Sequence, residues 1–285
     1  MRPLKICLLN LDFIPCRSSG LAVYGETLAL GLAQAGHRVT VIAARREGLP
    51  AQEEIGNIRV HRVPLGRGDW LGYAWHAGPL ASALHREQAF DIVHFLDVHF
   101  AYHFRGPFMA SLFQSFRQRA TSDGGLPYHS NLPSLGTHLV YYHSARWLAE
   151  APAVHRATHL LASSHATADE FAAHYGARPE RVTVVPLGID LSRFQRRDAS
   201  ALRQRLGLQG AKVLMYVGFG TPRKGLDYLA RAMPMVSADA RLVLVGRWER
   251  AYRTKFYRAV GAARDRVLEI GYVADEDLPL YYSLA

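Results

Sequence analysis

Cysteine is almost missing from this sequence, which has Cys7 and Cys16 and no others. The two match no metal-ligand or redox spacing, which fits a reducing cytosol. Long hydrophobic runs are missing too. No stretch approaches the roughly 18 apolar residues that a membrane-spanning helix needs. The opening MRPLKICLLNLDFIPC looks like a signal peptide, but Asn10 and Asp12 interrupt its apolar run. It reads as a buried first strand of a cytoplasmic protein. Lysine is scarce as well, supplying four of the 34 cations.

What is present is enough for an ample core. With 285 residues, 49% of them hydrophobic and 20% charged, the chain reads as two compact globular units. Its net charge of +10 is unevenly placed. Residues 193–266 hold 17 Lys/Arg against 5 Asp/Glu, while the remainder holds 17 against 19. Such a field suits a phosphorylated ligand, a nucleic acid or an anionic membrane, and equally a plain soluble basic face. No aromatic RNA-binding strand or helix-turn-helix pattern accompanies the charge, so no specific nucleic acid is expected.

Short apolar runs recur between helical patterns: KICLLNL (5–11), RVTVIAA (38–44), IRVHRVP (58–64), DIVHFLD (91–97), PFMASLFQ (107–114), THLLASS (158–164) and VTVVPLG (182–188). Their near-continuous hydrophobicity predicts strands covered on both faces, as in parallel sheets. A helix is predicted over 22–36, closed by Gly36, and another over 163–176, capped by Ser164 and closed by Gly176. This alternation predicts a doubly wound α/β domain. After the polar link QRRDAS a second alternation follows, with strands KVLMYVG (212–218), RLVLVG (241–246) and RVLEIGYV (266–273). Domains are expected over 1–189 and 190–285. Three strands are few for a sheet, so the second domain is expected to be incomplete.

One turn carries chemistry. In YVGFGTPRKGLDYL (216–229) a strand ends, glycines turn the chain, and a helix is predicted to begin beside Arg223 and Lys224. In open α/β sheets ligands bind beyond the carboxyl ends of strands, where helix N-termini point. Two cations at that place predict an anion site, a phosphate or diphosphate. A phosphate-binding Walker loop is excluded, because Lys224 is followed by Gly225 and Leu226. A dinucleotide fingerprint is excluded too, because its third glycine would fall on Arg223.

Six stretches in order carry a resemblance: SSGLAVYGETLALGLAQAGHRVTVIA (18–43), FDIVH (90–94), LLASSHATADEFAAHYGARPERVTVVPLGIDLSRF (160–194), YVGFGTPRKGLDYLARAM (216–233), RLVLVG (241–246) and RVLEIGYVADEDLPLYYSLA (266–285). Together they resemble the N-terminal two-thirds of a family-4 retaining glycosyltransferase of GT-B architecture. The resemblance implies an α/β fold of two Rossmann-like domains facing across a cleft, the first for the acceptor and the second for a nucleotide-sugar donor. It implies transfer of a sugar from a nucleoside diphosphate to an acceptor hydroxyl with retention, in glycan biosynthesis. The acceptor would be a sugar, a lipid-linked molecule or a small molecule, with peripheral contact to the inner face of the membrane.

By this resemblance Arg223 and Lys224 hold the donor diphosphate and stabilise it as a leaving group. Gly20 approaches the same phosphates through its backbone, unless it is an ordinary turn glycine. Tyr272 and Val273 contact the nucleobase, largely through backbone groups. Asp275-Glu276-Asp277 resembles the metal-binding DxD of other glycosyltransferases, but reads as an acidic helix start. GT-B enzymes usually need no metal, and no cofactor is expected. The sequence departs from the family in three places. Phe219 replaces a common arginine. Gln114 or Ser115 stands where a histidine often lies near the acceptor. The two glutamates of E-x7-E and the final helix that crosses back fall beyond Ala285. A chain ending at Ala285 is therefore expected to be inactive alone.

Other motifs carry two readings each. His99 with His103, and His155 with His159, have the four-residue spacing of zinc ligands but no obvious third ligand. His94 is either an acceptor contact or a satisfied core histidine. Residues 98–119, mixing aromatics with arginines, are either an acceptor or membrane-interface surface or a buried strand with its loops. Residues 121–134 form a loop by composition and a candidate acceptor lid. Two rival functions remain: a nucleotide-sugar epimerase or phosphorylase on the same architecture, or a non-catalytic degenerate glycosyltransferase subunit.

Overall fold

The structure, a computed structural model, describes residues 2–17, 19–66, 70–120 and 132–285. It divides into two compact units, with the boundary between Leu187 and Gly188. In the first, the chain runs β1 (Lys5–Leu9), α1 (Gly20–Gln34), β2 (Arg38–Ala44), β3 (Gln52–Ile55), β4 (Ile58–Val63), α2 (Trp70–Gln88), β5 (Ile92–Phe95), β6 (Met109–Leu112), α3 (Phe116–Gln118), α4 (Leu132–Ala145), α5 (Ala151–Arg156), β7 (His159–Ala162), α6 (His165–Tyr175) and β8 (Val182–Val184).

The strands form one eight-stranded sheet in the order β3-β4-β2-β1-β5-β6-β7-β8. All neighbours are parallel except β3, which pairs antiparallel with β4. Strands buried on both faces explain the apolar runs: Cys7, Leu9 and Ile42 pack on one side, Ile6, Leu8 and Val41 on the other. The order reverses around β1, with β2 on one side and β5 on the other. That reversal opens a crevice at the carboxyl ends of the strands. Strand β3 escapes the hydrophobic pattern because its sequence, QEEI, is polar.

Caps follow local chemistry. The Ser164 hydroxyl accepts the Thr167 amide N–H at the start of α6, and Gly176 closes it in the left-handed region at φ +65°. Helix α1 begins two residues before the predicted start, because Ser19 caps it by accepting the Ala22 N–H. Between α4 and α5 the chain makes a π turn over Arg146–Glu150. Such turns recur at functional positions.

The second unit runs α7 (Ser200–Arg205), β9 (Lys212–Val217), α8 (Leu226–Ala232), β10 (Ala240–Val245), α9 (Arg250–Val260), β11 (Val267–Gly271) and α10 (Leu278–Tyr282). Its three parallel strands lie in the order β11-β10-β9. Helices α8 and α9 cover one face through Leu226, Ala230 and Phe256, packed on Leu242 and Leu244. On the other face Leu202, Leu208 and Leu284 meet Val243 and Val245. A fully buried side chain such as Phe256 contributes about 1.5–3 kcal/mol. No helix among the described residues is long and apolar enough to cross a membrane.

Candidate functional site

The second unit gathers glycines at the carboxyl ends of its strands. Gly218, Gly246 and Gly271 follow or end β9, β10 and β11, at φ +153°, +132° and +82°. Backbone hydrogen bonds knit them: the Gly218 N–H donates to the Val245 carbonyl, and the Gly246 N–H to the Gly271 carbonyl. A β-carbon on Gly220 would lie 2.3 Å from the Trp248 ring. Glycine here lets the strand ends and the Trp248 ring pack closely against one another.

Arg223 and Lys224 stand at this edge, both exposed, but the local structure differs from the predicted one. They lie on a separate 3-10 turn, Pro222–Lys224, and not on the following helix. Gly225, left-handed at φ +68°, separates that turn from α8. A left-handed residue breaks the run of helical hydrogen bonds, so the cations do not continue the helix. Phe219 is half exposed on the same loop, and its carbonyl accepts the Tyr216 hydroxyl.

Tyr272 follows β11 with its ring exposed. The Arg247 guanidinium lies 5.1 Å from the centre of that ring. Arg247 is a third cation of this edge, and the sequence reading missed it. The signal was there in VGRWER, which repeats the strand-glycine pattern of YVGFG. Val273 is buried in the core beside α10, so only its backbone is available to a ligand. Asp275, Glu276 and Asp277 form the turn that leads into α10, and the Asp275 carbonyl accepts the Arg193 guanidinium.

In the first unit Gly20 is exposed as the first residue of α1, and a β-carbon on it would meet nothing within 4 Å. Its φ is not in the left-handed region either. Neither packing nor conformation asks for glycine there. Gly25, one turn later, is different: its β-carbon would stand 2.2 Å from Asn10 Nδ2, which is held by the Asp12 and Leu21 carbonyls. That contact sets the close approach of α1 to the end of β1.

His94 lies inside the sheet on β5, with its Nε2 2.8 Å from the Ser111 hydroxyl of β6. Burial pulls its pKa down to about 4, which keeps the ring neutral. Gln114, half-buried, lies in the loop two residues past the end of β6, the strand next to the β5 that carries His94. His99 turns inward, with Nδ1 3.0 Å from the Asp97 carboxylate. His103 packs edge-on against Trp75, and His159 Nε2 meets the Thr183 hydroxyl. In the stretch 98–119, Phe100, Phe104, Phe108 and Phe116 are buried, as the core reading expects. The candidate lid falls largely outside the described residues, and its last three residues open α4.

Sequence reading also missed Glu150, fully buried at the end of the π turn. Its Oε2 accepts the Phe116 N–H at 2.9 Å, which holds the loop after β6. Burial pushes its pKa up to about 8, with the Asp97 carboxylate adding to the effect. Only the assembled fold brings these groups together.

Known proteins share this organisation. A profile of Glycosyltransferase Family 4 matches residues 18–193, and one of Glycosyl transferases group 1 matches residues 211–285. A D-inositol 3-phosphate glycosyltransferase of Kineococcus radiotolerans is 31% identical over 252 residues, 80% of this chain and 56% of the relative. The chain thus spans little more than half the length of that protein. Among solved structures, sucrose-phosphate synthase of Thermosynechococcus elongatus has a TM-score of 0.75 at 19% identity, covering 99% of this chain and 74% of the other. HepE of Anabaena in complex with UDP-glucose has a TM-score of 0.62 at 18% identity, covering 98% of this chain and 71% of that one. These likenesses establish the GT-B type of α/β fold.

Proposed function

Because the chain belongs to glycosyltransferase family 4, we propose that it serves the transfer of a sugar from a nucleoside-diphosphate donor to an acceptor hydroxyl, with retention of configuration. The observation that carries this reading is the edge of the second sheet. Arg223 and Lys224 stand there in solvent, beside glycine backbone at three strand ends.

As the bond from the sugar's anomeric carbon to the diphosphate breaks, negative charge grows on the diphosphate. Fixed cations favour that change more than they favour the bound ground state. The acceptor oxygen forms its bond on the face the diphosphate leaves, and its proton passes to a diphosphate oxygen. The protein then supplies orientation and leaving-group stabilisation. The reading asks no metal of the site. Tyr272, beneath Arg247, and the Val273 backbone are assigned to the base. On the first unit, Gly20 is assigned to phosphate approach, which its otherwise unexplained lack of a side chain supports. His94 and Gln114 are assigned to the acceptor side, His94 acting as a neutral hydrogen-bonding group behind the surface.

The test is titration calorimetry with a panel of nucleoside diphosphates and their sugars. At least one should bind, and Arg223→Ala combined with Lys224→Ala should weaken it at least a hundredfold. Duplex DNA should bind weakly at physiological salt and ignore the two changes. Equal nucleotide binding by parent and double variant would remove the turn from the donor site.

A further inference from the structure

In the first unit the crevice lies at the carboxyl ends of the parallel strands, and the amino ends hold a second cavity. It measures about 610 Å³, within the range of small-molecule sites, and its lining includes Lys5, His37, Arg38, Thr40, Glu54 and Arg59. Register brings three cations together there. Lys5 on β1 is aligned with Arg38 on β2, and Thr40, two residues on, is aligned with Arg59 on β4. Aligned residues of neighbouring strands share a face, and side chains alternate along each strand. Lys5, Arg38, Thr40 and Arg59 therefore lie on one face of the sheet. Further along, α2 covers that same face by packing on Cys7 and Ile42. The helix ends at Gln88, and the cavity opens where its cover stops.

Most of this charge is not neutralised. Lys5 Nζ donates to the Gln88 carbonyl at 2.8 Å, which closes the end of α2. Arg38 is exposed, and its guanidinium has no partner among the described residues. Arg59 has Glu54 at 3.7 Å, with both side chains more than half exposed, a pair worth little in water. Asp91, beside Lys5, is occupied by the Arg2 guanidinium and the Lys5 N–H. Like charges on neighbouring strands repel, so this arrangement costs the fold unless an anion offsets it.

Two further donors complete the site. Thr40 is only 6% exposed, yet its hydroxyl has no hydrogen-bond partner among the described residues, and a buried hydroxyl normally has one. His37 Nδ1 accepts the Leu4 N–H at 3.2 Å, so in the neutral ring Nε2 carries the proton and can donate. Guanidinium groups, an ammonium, a hydroxyl and an imidazole N–H together match the oxygens of a phosphate group.

We propose that the cavity at the amino ends of β1, β2 and β4 binds a phosphate-bearing small molecule, at a site distinct from the crevice and from the glycine-lined edge of the second unit. The ligand joins three strands of the first unit, so its binding stabilises the folded chain. The full chain is titrated by calorimetry at constant ionic strength with inorganic phosphate, glucose 6-phosphate and glucose, and thermal unfolding is followed in parallel. Both phosphates should bind saturably and raise Tm, and glucose should do neither. Tighter binding of glucose 6-phosphate assigns the site to a phosphorylated metabolite, and equal binding assigns it to free phosphate. Arg38→Gln combined with Arg59→Gln, both exposed positions, should weaken phosphate binding at least tenfold while leaving the circular dichroism unchanged. Thr40→Val, nearly the same in shape and suited to a strand, should weaken it severalfold and serves if the double variant folds poorly. Arg223→Ala combined with Lys224→Ala should leave this binding in place. Three results overturn the proposal: no binding beyond that of matched chloride; binding that ignores the changes at Arg38, Arg59 and Thr40; or binding lost with Arg223 and Lys224 and kept by the cavity variants.

Discussion

Gly246 and Gly218 are pressed together at neighbouring strand ends: a β-carbon on Gly246 would stand 2.0 Å from the Gly218 carbonyl oxygen. The obstacle is backbone and cannot rotate aside, and the φ of +132° already disfavours a side chain. Gly246→Ala should therefore cost the second unit about 3 kcal/mol, from overpacking and backbone strain together. Chemical denaturation followed by Trp248 emission measures it. A loss below about 0.5 kcal/mol would mean that the strand ends are loosely joined.

Gly20 makes the opposite case. Nothing in the chain lies near its missing side chain, so Gly20→Ala should leave unfolding within about 0.5 kcal/mol of the parent. Nucleotide-sugar affinity should nonetheless fall about tenfold, roughly 1.4 kcal/mol, if backbone approach to phosphate is its use. Unchanged stability with unchanged affinity would return Gly20 to the status of an ordinary helix start.

On the proposed reaction the charge of Lys224 would face growing negative charge, so Lys224→Ala should depress kcat more than it raises KM. The loss should be on the order of 2–4 kcal/mol in the transition state. Steady-state kinetics on an active form of the protein separates the two constants, and an unchanged kcat would take Lys224 out of the reaction.

Glu150 should make stability depend on pH. Its folded pKa is raised from 4.5 to about 8 by burial, so between those values the native state holds a proton that the unfolded chain has lost. Stability is then fully present below about pH 4.5, falls as pH rises towards 8, and levels off above it. At about 1.4 kcal/mol per unit, the ceiling is about 4–5 kcal/mol. Glu150→Gln keeps an acceptor for the Phe116 N–H, so it should flatten the curve and exceed the parent's stability at pH 8. Parallel urea titrations at pH 5 and pH 8 test this.

How much of this was legible depends on the range of the interaction concerned. Ser164 and Gly176 were readable as caps because each acts within one turn of α6. The parallel strands were readable because burial on both faces leaves apolar runs. Arg223 and Lys224 could be placed at a strand end, yet their 3-10 turn could not, since it depends on the left-handed Gly225. Arg247 over Tyr272 and Glu150 under Phe116 both depend on residues distant in sequence. Periodicity within one segment cannot report them.

Strand β3 has a consequence for the protein in concentrated solution. It closes one side of the eight-stranded sheet with Gln52, Glu53 and Glu54, where an apolar strand would invite another chain. Glu53 pairs with Arg62, and Glu54 lies 3.7 Å from Arg59, so the border is acidic but tethered to its own sheet. Two copies meeting along this border would bring carboxylates face to face, and like charges across a strand pair repel. The border thus acts as a guard against edge-to-edge polymerisation, and acid is what disarms it. Protonating these carboxylates removes the repulsion while leaving the unpaired backbone groups of β3 in place.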